Sequence, residues 1–445
     1  MRRSPTAITI MAILSLLLQS CTSTRQSPPE GIATLHEAYD ALLNSYVEPL
    51  DPTILALGAT TGMVGSLARQ GVTVPPADVP AFSGGNRDQI WNALEQSYTV
   101  LARRYAKQVS PQTLAYDAVR QMATSVNDCH TEFSSPKELQ DEEASLRGTT
   151  RFGGIGAFLL DRPGDPPAIR EVFQDGPADK AGVVAGDVIR QVDGKDVTNL
   201  HAHDVAGLIR GQEGTSVELT LDRGVSTQKK VSIVRQQVSP PILNTSLFTA
   251  RTGKIAYLHL YSFPSILGSR IDKVLTDLQK QGAKGWIIDL RENGGGQLDA
   301  MQAFASKFLH RGPFDLLVDR HGKQTLLQPN GTVLQGIQPM AVIVNEDSAS
   351  ASEMFAAAVQ EQHAGAVVGM RTRGCIGVAQ QMTLHDGSGL QIKVEKVLGG
   401  VTGTPLDGNG VTPDIVVGLT PADLSNGNDP QLEAAARYVA AQLAK

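Results

Sequence analysis

Basic blocks are missing from this chain. Its 39 lysines and arginines are scattered among 45 acidic residues, for a net charge of −6, and no aromatic-basic interleaving appears. A nucleic acid would need a continuous positive surface, so no nucleic-acid partner is expected. Metal-ligand spacing is absent as well. The three cysteines, Cys21, Cys129 and Cys375, form no Cys/His run of the kind that holds zinc, and no glycine-rich phosphate loop is present. Neither a metal nor an organic cofactor is expected. Long apolar runs are scarce: the stretch from Ala7 to Leu18 is too short to span a bilayer comfortably, and no other segment is apolar enough to cross.

That first apolar stretch reads as an export signal. Arg2 and Arg3 precede it, and it ends in Leu18-Gln19-Ser20-Cys21, which resembles a bacterial lipobox. Residues 1–20 then form a lipoprotein-type signal peptide, Cys21 carries the lipid, and 21–30, polar and proline-containing, is a tether. Gln19 departs from the usual second residue of the box, which leaves an uncleaved anchor or simple secretion open. Thr22, not aspartate, follows the cysteine. The expected place is therefore the cell envelope, periplasmic and lipid-anchored to the outer membrane. Cys129 and Cys375 remain, enough for one disulfide in an oxidising compartment.

Three textures follow along the chain. Residues 31–150 are helical in pattern: Leu35, Ala38, Tyr39, Leu42, Leu43 and Tyr46 recur at three- and four-residue steps. Ile90 to Tyr105 and Pro111 to Val126 repeat that spacing, with Pro75, Pro76, Pro80 and Gly84-Gly85 between them. Residues 151–240 are strand-rich. The succession Gly176-Pro177-Ala178, Ala181-Gly182, Gly186-Asp187-Val188-Ile189 resembles a PDZ domain. That resemblance implies that Gly153, Gly154, Ile155 and Gly156 present backbone amides to a peptide's C-terminal carboxylate, and that the next strand pairs with the peptide. A PDZ domain serving only as an internal brace is the other reading. From 241 to 445 strands and helices alternate, which implies an α/β core. Pro430 to Leu443 reads as a closing amphipathic helix, with Pro430 suited to its first turn.

The chemistry concentrates at Asn345-Glu-Asp-Ser-Ala-Ser-Ala-Ser-Glu-Met354, between the apolar run Met340 to Val344 and a helix-like run. A serine in a strand–turn–helix corner has an exposed hydroxyl beside unpaired helix N–H groups, a setting that suits a nucleophile. Ser348, Ser350 and Ser352 acting only as helix caps is the plain alternative. A second segment changes the balance. Gly294-Gly295-Gly296 lies after a strand and before a helix, and leaves backbone N–H groups unobstructed.

Asp289-Leu-Arg-Glu-Asn-Gly-Gly-Gly296 together with Ser348-Ala-Ser-Ala-Ser-Glu353 resembles the C-terminal processing, or tail-specific, proteases, and more distantly the tricorn-core proteases. The resemblance extends over nearly all of the mature chain, including Tyr46-Val-Glu-Pro49. It implies a crotonase-like ββα core with an inserted PDZ domain and an N-terminal helical domain. It places the nucleophile at Ser350 and the oxyanion hole at Gly294, Gly295 and Ala351, where added bulk should not be tolerated. Many such proteases use a serine–lysine dyad, with the lysine 25 residues after the serine; here that position, 375, holds a cysteine. No lysine lies between Ser350 and Lys393. The tricorn-like branch supplies a histidine instead, and the matching residues are His130 with Asp407 as its acid. An imidazole accepts the serine proton at neutral pH and returns it to the leaving amine. On the same resemblance Cys129 adjoins the base and Cys375 takes the lysine's place, so a Cys129–Cys375 disulfide is expected. The implied activity is a serine endopeptidase acting on exposed or unstructured polypeptides, with a membrane association through its lipid. The rival is a non-catalytic peptide or ligand binder on the same scaffold, because fold alone does not fix function.

Overall fold

The computed structural model of the chain describes residues 27–79, 82, 84–160, 165–224, 227–331, 334 and 338–445. The signal peptide, Cys21 and most of the tether lie outside the described residues. Four helices come first: α1 (Ile32–Ser45), α2 (Pro52–Ala68), α3 (Arg87–Arg104) and α4 (Pro111–Thr124). Three follow the three- and four-residue spacing of the sequence, and α3 begins with a capping box. Asn86 Oδ1 accepts the Gln89 N–H, and the Gln89 side chain accepts the Asn86 N–H, each at 3.0 Å. Helix α2 has no single apolar stripe. Its Gly58 and Gly62 lie against α4, and a Cβ on Gly62 would stand 2.1 Å from the Asp117 carbonyl oxygen. Close backbone approach, not amphipathic patterning, seats this helix.

Strand β1 (Glu132–Ser134) and helix α5 (Pro136–Arg147) lead to the PDZ domain. This contains β2 (Phe152–Gly154), β3 (Ala157–Leu160), β4 (Ala168–Val172), α6 (Pro177–Lys180), β5 (Val188–Val192), β6 (Lys195–Asp196), α7 (Ala202–Ile209), β7 (Ser216–Arg223), β8 (Thr227–Val234) and β9 (Gln236–Val238). Strand order in its main sheet is β3-β4-β5-β7-β8. Among the described residues, β3 is thus an edge. A separate pairing of β2 with β9, Phe152 opposite Val238, closes the base of the domain.

The core comprises β10 (Leu243–Ala250), β11 (Gly253–Leu260), α8 (Leu267–Lys280), β12 (Ala283–Asp289), α9 (Leu298–Phe308), β13 (Asp315–Asp319), β14 (Gln324–Leu327), β15 (Met340–Val344), α10 (Ala351–Glu361), β16 (Ala366–Gly369), β17 (Val378–Thr383), β18 (Gly389–Gly399), β19 (Ile415–Val416), α11 (Pro421–Ser425) and α12 (Pro430–Leu443). Its main sheet runs β10-β11-β12-β15-β16-β19, parallel from β11 onward. Both faces are buried, as a parallel sheet requires. Trp286, Ile288 and Val342 pack with α8, α9 and α10 on one face. Ile287, Ala341 and Ile343 pack with α12 on the other. The period of two along each strand separates these layers.

A second sheet crosses the domain boundary. Strand β1 pairs antiparallel with β18, Glu132 opposite Gln391, and β18 also pairs with β13 and β17. Leu384, Leu390 and Ile392 belong to the same buried cluster as α1 to α4. The helical region is therefore completed by core residues, and residues just before β1 are carried to the core. The PDZ domain also grips the core. The buried Arg170 pairs with the half-buried Glu292 at 3.0 Å. Glu171 accepts the Tyr261 hydroxyl at 2.6 Å, and Phe158 stacks on Tyr261 with centroids 4.8 Å apart.

Candidate active site

Strand β15 and helix α10 are joined by a corner in which the three serines have different fates. Ser348 is fully buried; its hydroxyl donates to Leu290 O at 2.8 Å and accepts the Asn345 N–H at 3.0 Å. Ser352 is equally buried and donates to Asn293 O at 2.9 Å. Ser350 alone opens on a cleft of about 410 Å³. Its backbone sits at φ 53°, ψ −117°, immediately before the first residue of α10. A non-glycine residue at positive φ costs energy and persists only where its surroundings hold it. Here they do: the Ser350 N–H is shared between Cys375 O at 2.9 Å and Glu353 Oε2 at 3.0 Å.

Glu353 was an unassigned letter of the serine motif in the sequence; the structure makes it a hub. Its buried carboxylate also receives the N–H groups of Gly374 at 2.7 Å and Cys375 at 3.0 Å. Burial raises its pKa, against the lowering effect of these hydrogen bonds. The available signal was the serine–glutamate spacing of a capping box at a helix start.

The glycine turn comes from the end of β12. Asn293 organises it: the side-chain amide donates to Leu260 O at 2.8 Å, Oδ1 accepts the Gly295 N–H at 2.9 Å, and the Asn293 carbonyl accepts the Ala349 N–H at 3.0 Å. The Gly295 N–H is thus turned to Asn293 and away from the cleft. Gly294 and Ala351 line the cleft, and among the described residues their N–H groups have no partner. Ala351 is the first residue of α10, where an unpaired N–H is intrinsic to the helix. Gly295 matters through space: at φ 107° its missing Cβ would stand 2.9 Å from Ser350 Cβ. A Cβ on Gly294 would meet nothing within 4 Å. Both glycines were expected to reject bulk; a Cβ meets a close contact at Gly295 and open space at Gly294.

His130 reaches the cleft from the other side. The Asp128 carboxylate accepts the His130 N–H at 2.6 Å and the Thr131 N–H at 2.9 Å, and Gln391 of β18 donates to His130 O at 3.1 Å. The imidazole is buried, with Nε2 3.4 Å from Ser350 Oγ. Its other face meets sulfur. Cys129 and Cys375 are joined by a disulfide, with Cα atoms 5.9 Å apart. Nδ1 lies 3.5 Å from Cys129 Sγ and 3.7 Å from Cys375 Sγ. Burial holds the imidazole below the usual histidine pKa, and the Lys393 ammonium adds to this; Asp128 and Asp407 oppose it.

Asp407 does not take the orienting place assigned to it from the sequence. Its carboxylate accepts the Ile376 N–H at 3.0 Å and pairs with the buried Lys393 ammonium. Among the described residues it makes no hydrogen bond with His130. The physical reason is Lys393, which reaches along Gly377 with Cε 2.7 Å from where a Cβ would be, and takes the carboxylate.

In the PDZ domain, Gly153 and Gly154 are in β2, opposite Gln237 and Gln236 of β9. The Ile155 carbonyl accepts the Ala178 N–H at 2.8 Å, the Gly156 carbonyl accepts the Phe173 N–H at 2.9 Å, and Gly156 has φ 73°. Only Ile155 and Gly156 lie in the turn leading to the edge strand β3. The first two glycines belong to the domain's base.

Residues 254–417 match the family model described as peptidase family S41, and residues 169–223 match a PDZ domain. The chloroplastic C-terminal processing peptidase of Tetradesmus obliquus is 29% identical over 348 residues, 74% of each chain. A CtpA-like serine protease of Staphylococcus epidermidis is 29% identical over 339 residues, 75% of this chain and 67% of the relative. The solved structure of a photosystem II D1 C-terminal processing protease superposes with a TM-score of 0.57 at 26% identity, covering 93% of this chain and 98% of its own.

Proposed function

For a chain whose core belongs to peptidase family S41, and which is a serine peptidase, we propose a lysine-free Ser350–His130 dyad as the catalytic machinery. The observation that carries this reading is the 3.4 Å approach of His130 Nε2 to Ser350 Oγ. His130 takes the hydroxyl proton as Ser350 attacks the peptide carbonyl carbon. The oxyanion that forms is received by the N–H groups of Gly294 and Ala351. The imidazolium then protonates the leaving amine, and water, deprotonated by the same nitrogen, releases the acyl group. A proton on Nδ1 has Cys129 Sγ as its nearest sulfur, Cys375 Sγ standing 3.7 Å from Nδ1 and 4.0 Å from Nε2, and this tautomer leaves the Nε2 lone pair for Ser350. The disulfide thus occupies the place where a triad has its acid.

Leu298, Met354 and Val378 line the cleft, which favours an apolar side chain beside the scissile bond. The substrates proposed are exposed or unstructured polypeptides of the bacterial envelope. The edge strand β3, with Ile155 and Gly156 before it, supports C-terminal recognition by strand addition. Envelope placement rests on the export signal and on the bacterial CtpA-like relatives. Anchoring would come from lipid on Cys21. Among the described residues no helix is long and apolar enough to cross a membrane.

The test is cleavage of casein by the full chain and by its Ser350→Ala variant. Activity in the first and none in the second is expected. Equal cleavage by both excludes Ser350, and cleavage by neither, with or without an apolar C-terminal peptide, returns the chain to the class of binders.

A further inference from the structure

Two cysteines 246 residues apart in sequence flank the imidazole that faces Ser350. No spacing in the chain announces this cluster. In the fold the ligand-type atoms of Cys129, His130 and Cys375 lie within 4.8 Å of one another. We propose that reduction of the Cys129–Cys375 disulfide creates a zinc site of Cys129 Sγ, Cys375 Sγ and His130 Nδ1, and that zinc bound there removes the catalytic base.

The dimensions suit zinc. Zn–S bonds of about 2.3 Å and Zn–N bonds of about 2.0–2.1 Å in a tetrahedron give sulfur–nitrogen edges of about 3.5–3.6 Å. The two such distances present are 3.5 and 3.7 Å. Once the bond is broken, the two sulfurs part to the sulfur–sulfur edge of about 3.8 Å. Three protein ligands leave one position for water.

The chemistry balances as follows. A dithiol reductant attacks, as thiolate, the sulfur of Cys129, the exposed half of the pair. The S–S bond breaks and Cys375 leaves as thiolate beside His130. The reductant's second thiol resolves the mixed disulfide. Two electrons have passed to the protein, the reductant has become a disulfide, and its two protons reside on Cys129 and Cys375. Zinc displaces those two protons on binding the thiolates.

The consequence follows from the two faces of one ring. A metal on Nδ1 forces the remaining ring proton onto Nε2. Nε2 then points an N–H at Ser350 and has no lone pair for its proton. An oxidised chain has the base; a reduced, zinc-loaded chain lacks it. Chain exported into an oxidising compartment would be active, and chain still in a reducing, zinc-containing one would be held off.

Cobalt is the probe that separates this from the peptidase reading, because its absorption needs no turnover. The full chain, reduced with a dithiol that is then removed anaerobically, is expected to bind one equivalent of Co²⁺ with a thiolate-to-cobalt charge-transfer band. The oxidised chain should show no such band. Cys129→Ser, Cys375→Ser and His130→Asn should each lose or weaken it, and reduced wild-type chain alkylated before metal addition provides the same control without any substitution. Zinc added to reduced chain should lower casein cleavage about a hundredfold or more, the scale of a lost general base, and a chelator should restore it. Equal cobalt binding by reduced and oxidised chain overturns the proposal, as does a charge-transfer band that survives alkylation. The cobalt arm stands whether or not Ser350 is the nucleophile; only the cleavage arm rests on the proposed dyad.

Discussion

The Glu353 carboxylate accepts the backbone N–H of Ser350, three residues before it, at 3.0 Å. The same group receives Gly374 and Cys375 N–H groups, so one side chain fixes both the positive-φ serine and the loop that carries half of the disulfide. Glu353→Ala leaves the Gly374 and Cys375 N–H groups without their acceptor and the Ser350 N–H with Cys375 O alone. Because Glu353 acts through Ser350 and not on substrate, kcat should fall by about ten- to a hundredfold with KM little changed. Stability should fall by about 1–3 kcal/mol, the cost of unsatisfied buried donors. Steady-state kinetics and denaturant unfolding check both. A rise in KM with unchanged kcat would place Glu353 in substrate binding instead.

The two adjacent glycines should respond unequally. Gly295→Ala places a methyl 2.9 Å from Ser350 Cβ in a backbone conformation at φ 107°, so the nucleophile must shift. A loss of about a hundredfold or more in kcat is expected, comparable to removing an oxyanion donor. Gly294→Ala meets nothing within 4 Å and keeps its N–H, so its activity should stay within about tenfold of wild type. Equal losses in the two variants would mean that the turn needs glycine at 294 for mobility and not for space.

The pH dependence should report His130. The imidazole must be neutral to act as base, so kcat/KM rises with pH through its pKa. Burial, and then Lys393, holds that pKa below the usual histidine value, so the acid limb should lie below about pH 6.5. Lys393→Met removes one lowering influence and leaves the Asp407 carboxylate without its cation, and both changes move the limb upward. Asp407→Asn should cost less than about tenfold, against about a hundredfold or more for His130→Ala. A profile for Asp407→Asn as damaged as that for His130→Ala would restore Asp407 to a direct role.

Much of this was legible in the sequence because it is local. The alternation of strands and helices, the helix beginning at Pro430 and the corner carrying Ser350 follow from periodicity and from turn residues within a few positions of one another. The placement of His130 near Ser350 was reachable only through family resemblance, since it depends on β1 pairing with β18 across the domain boundary. What escaped the sequence was competition for partners. Asp407 is the acid that the resemblance assigned to His130, yet a buried Lys393 takes it. Gly295 has a free-looking amide in the sequence, yet Asn293 takes that too. Helix α2 escaped because glycines that approach another backbone leave no hydrophobic stripe.

The turn that carries Gly294 is anchored by charge, and this gives a prediction about acid. Arg291, 1% exposed, donates to Asp289 at 2.9 Å and to Asp429 at 3.0 Å, binding the end of β12 to the start of α12. Burial would raise the Asp289 and Asp429 pKa values, but the Arg291 guanidinium outweighs it and both carboxyls are held below the ordinary range. A depressed folded-state pKa contributes stability above the unfolded value of about 3.9 and loses it as pH falls through the folded value. Arg291→Met strands a buried carboxylate and should cost about 3–5 kcal/mol at pH 7. In the variant Asp289 becomes protonated easily, so acid relieves it while acid erodes the wild-type pair. The unfolded chain titrates alike in both, so the stability gap measured by urea unfolding should shrink as pH falls from 7, over the range where Asp289 is protonated in the variant and still ionised in the wild type. A gap that stays constant from pH 7 to pH 3 would mean that Arg291 contributes packing through its alkyl stem and not charge.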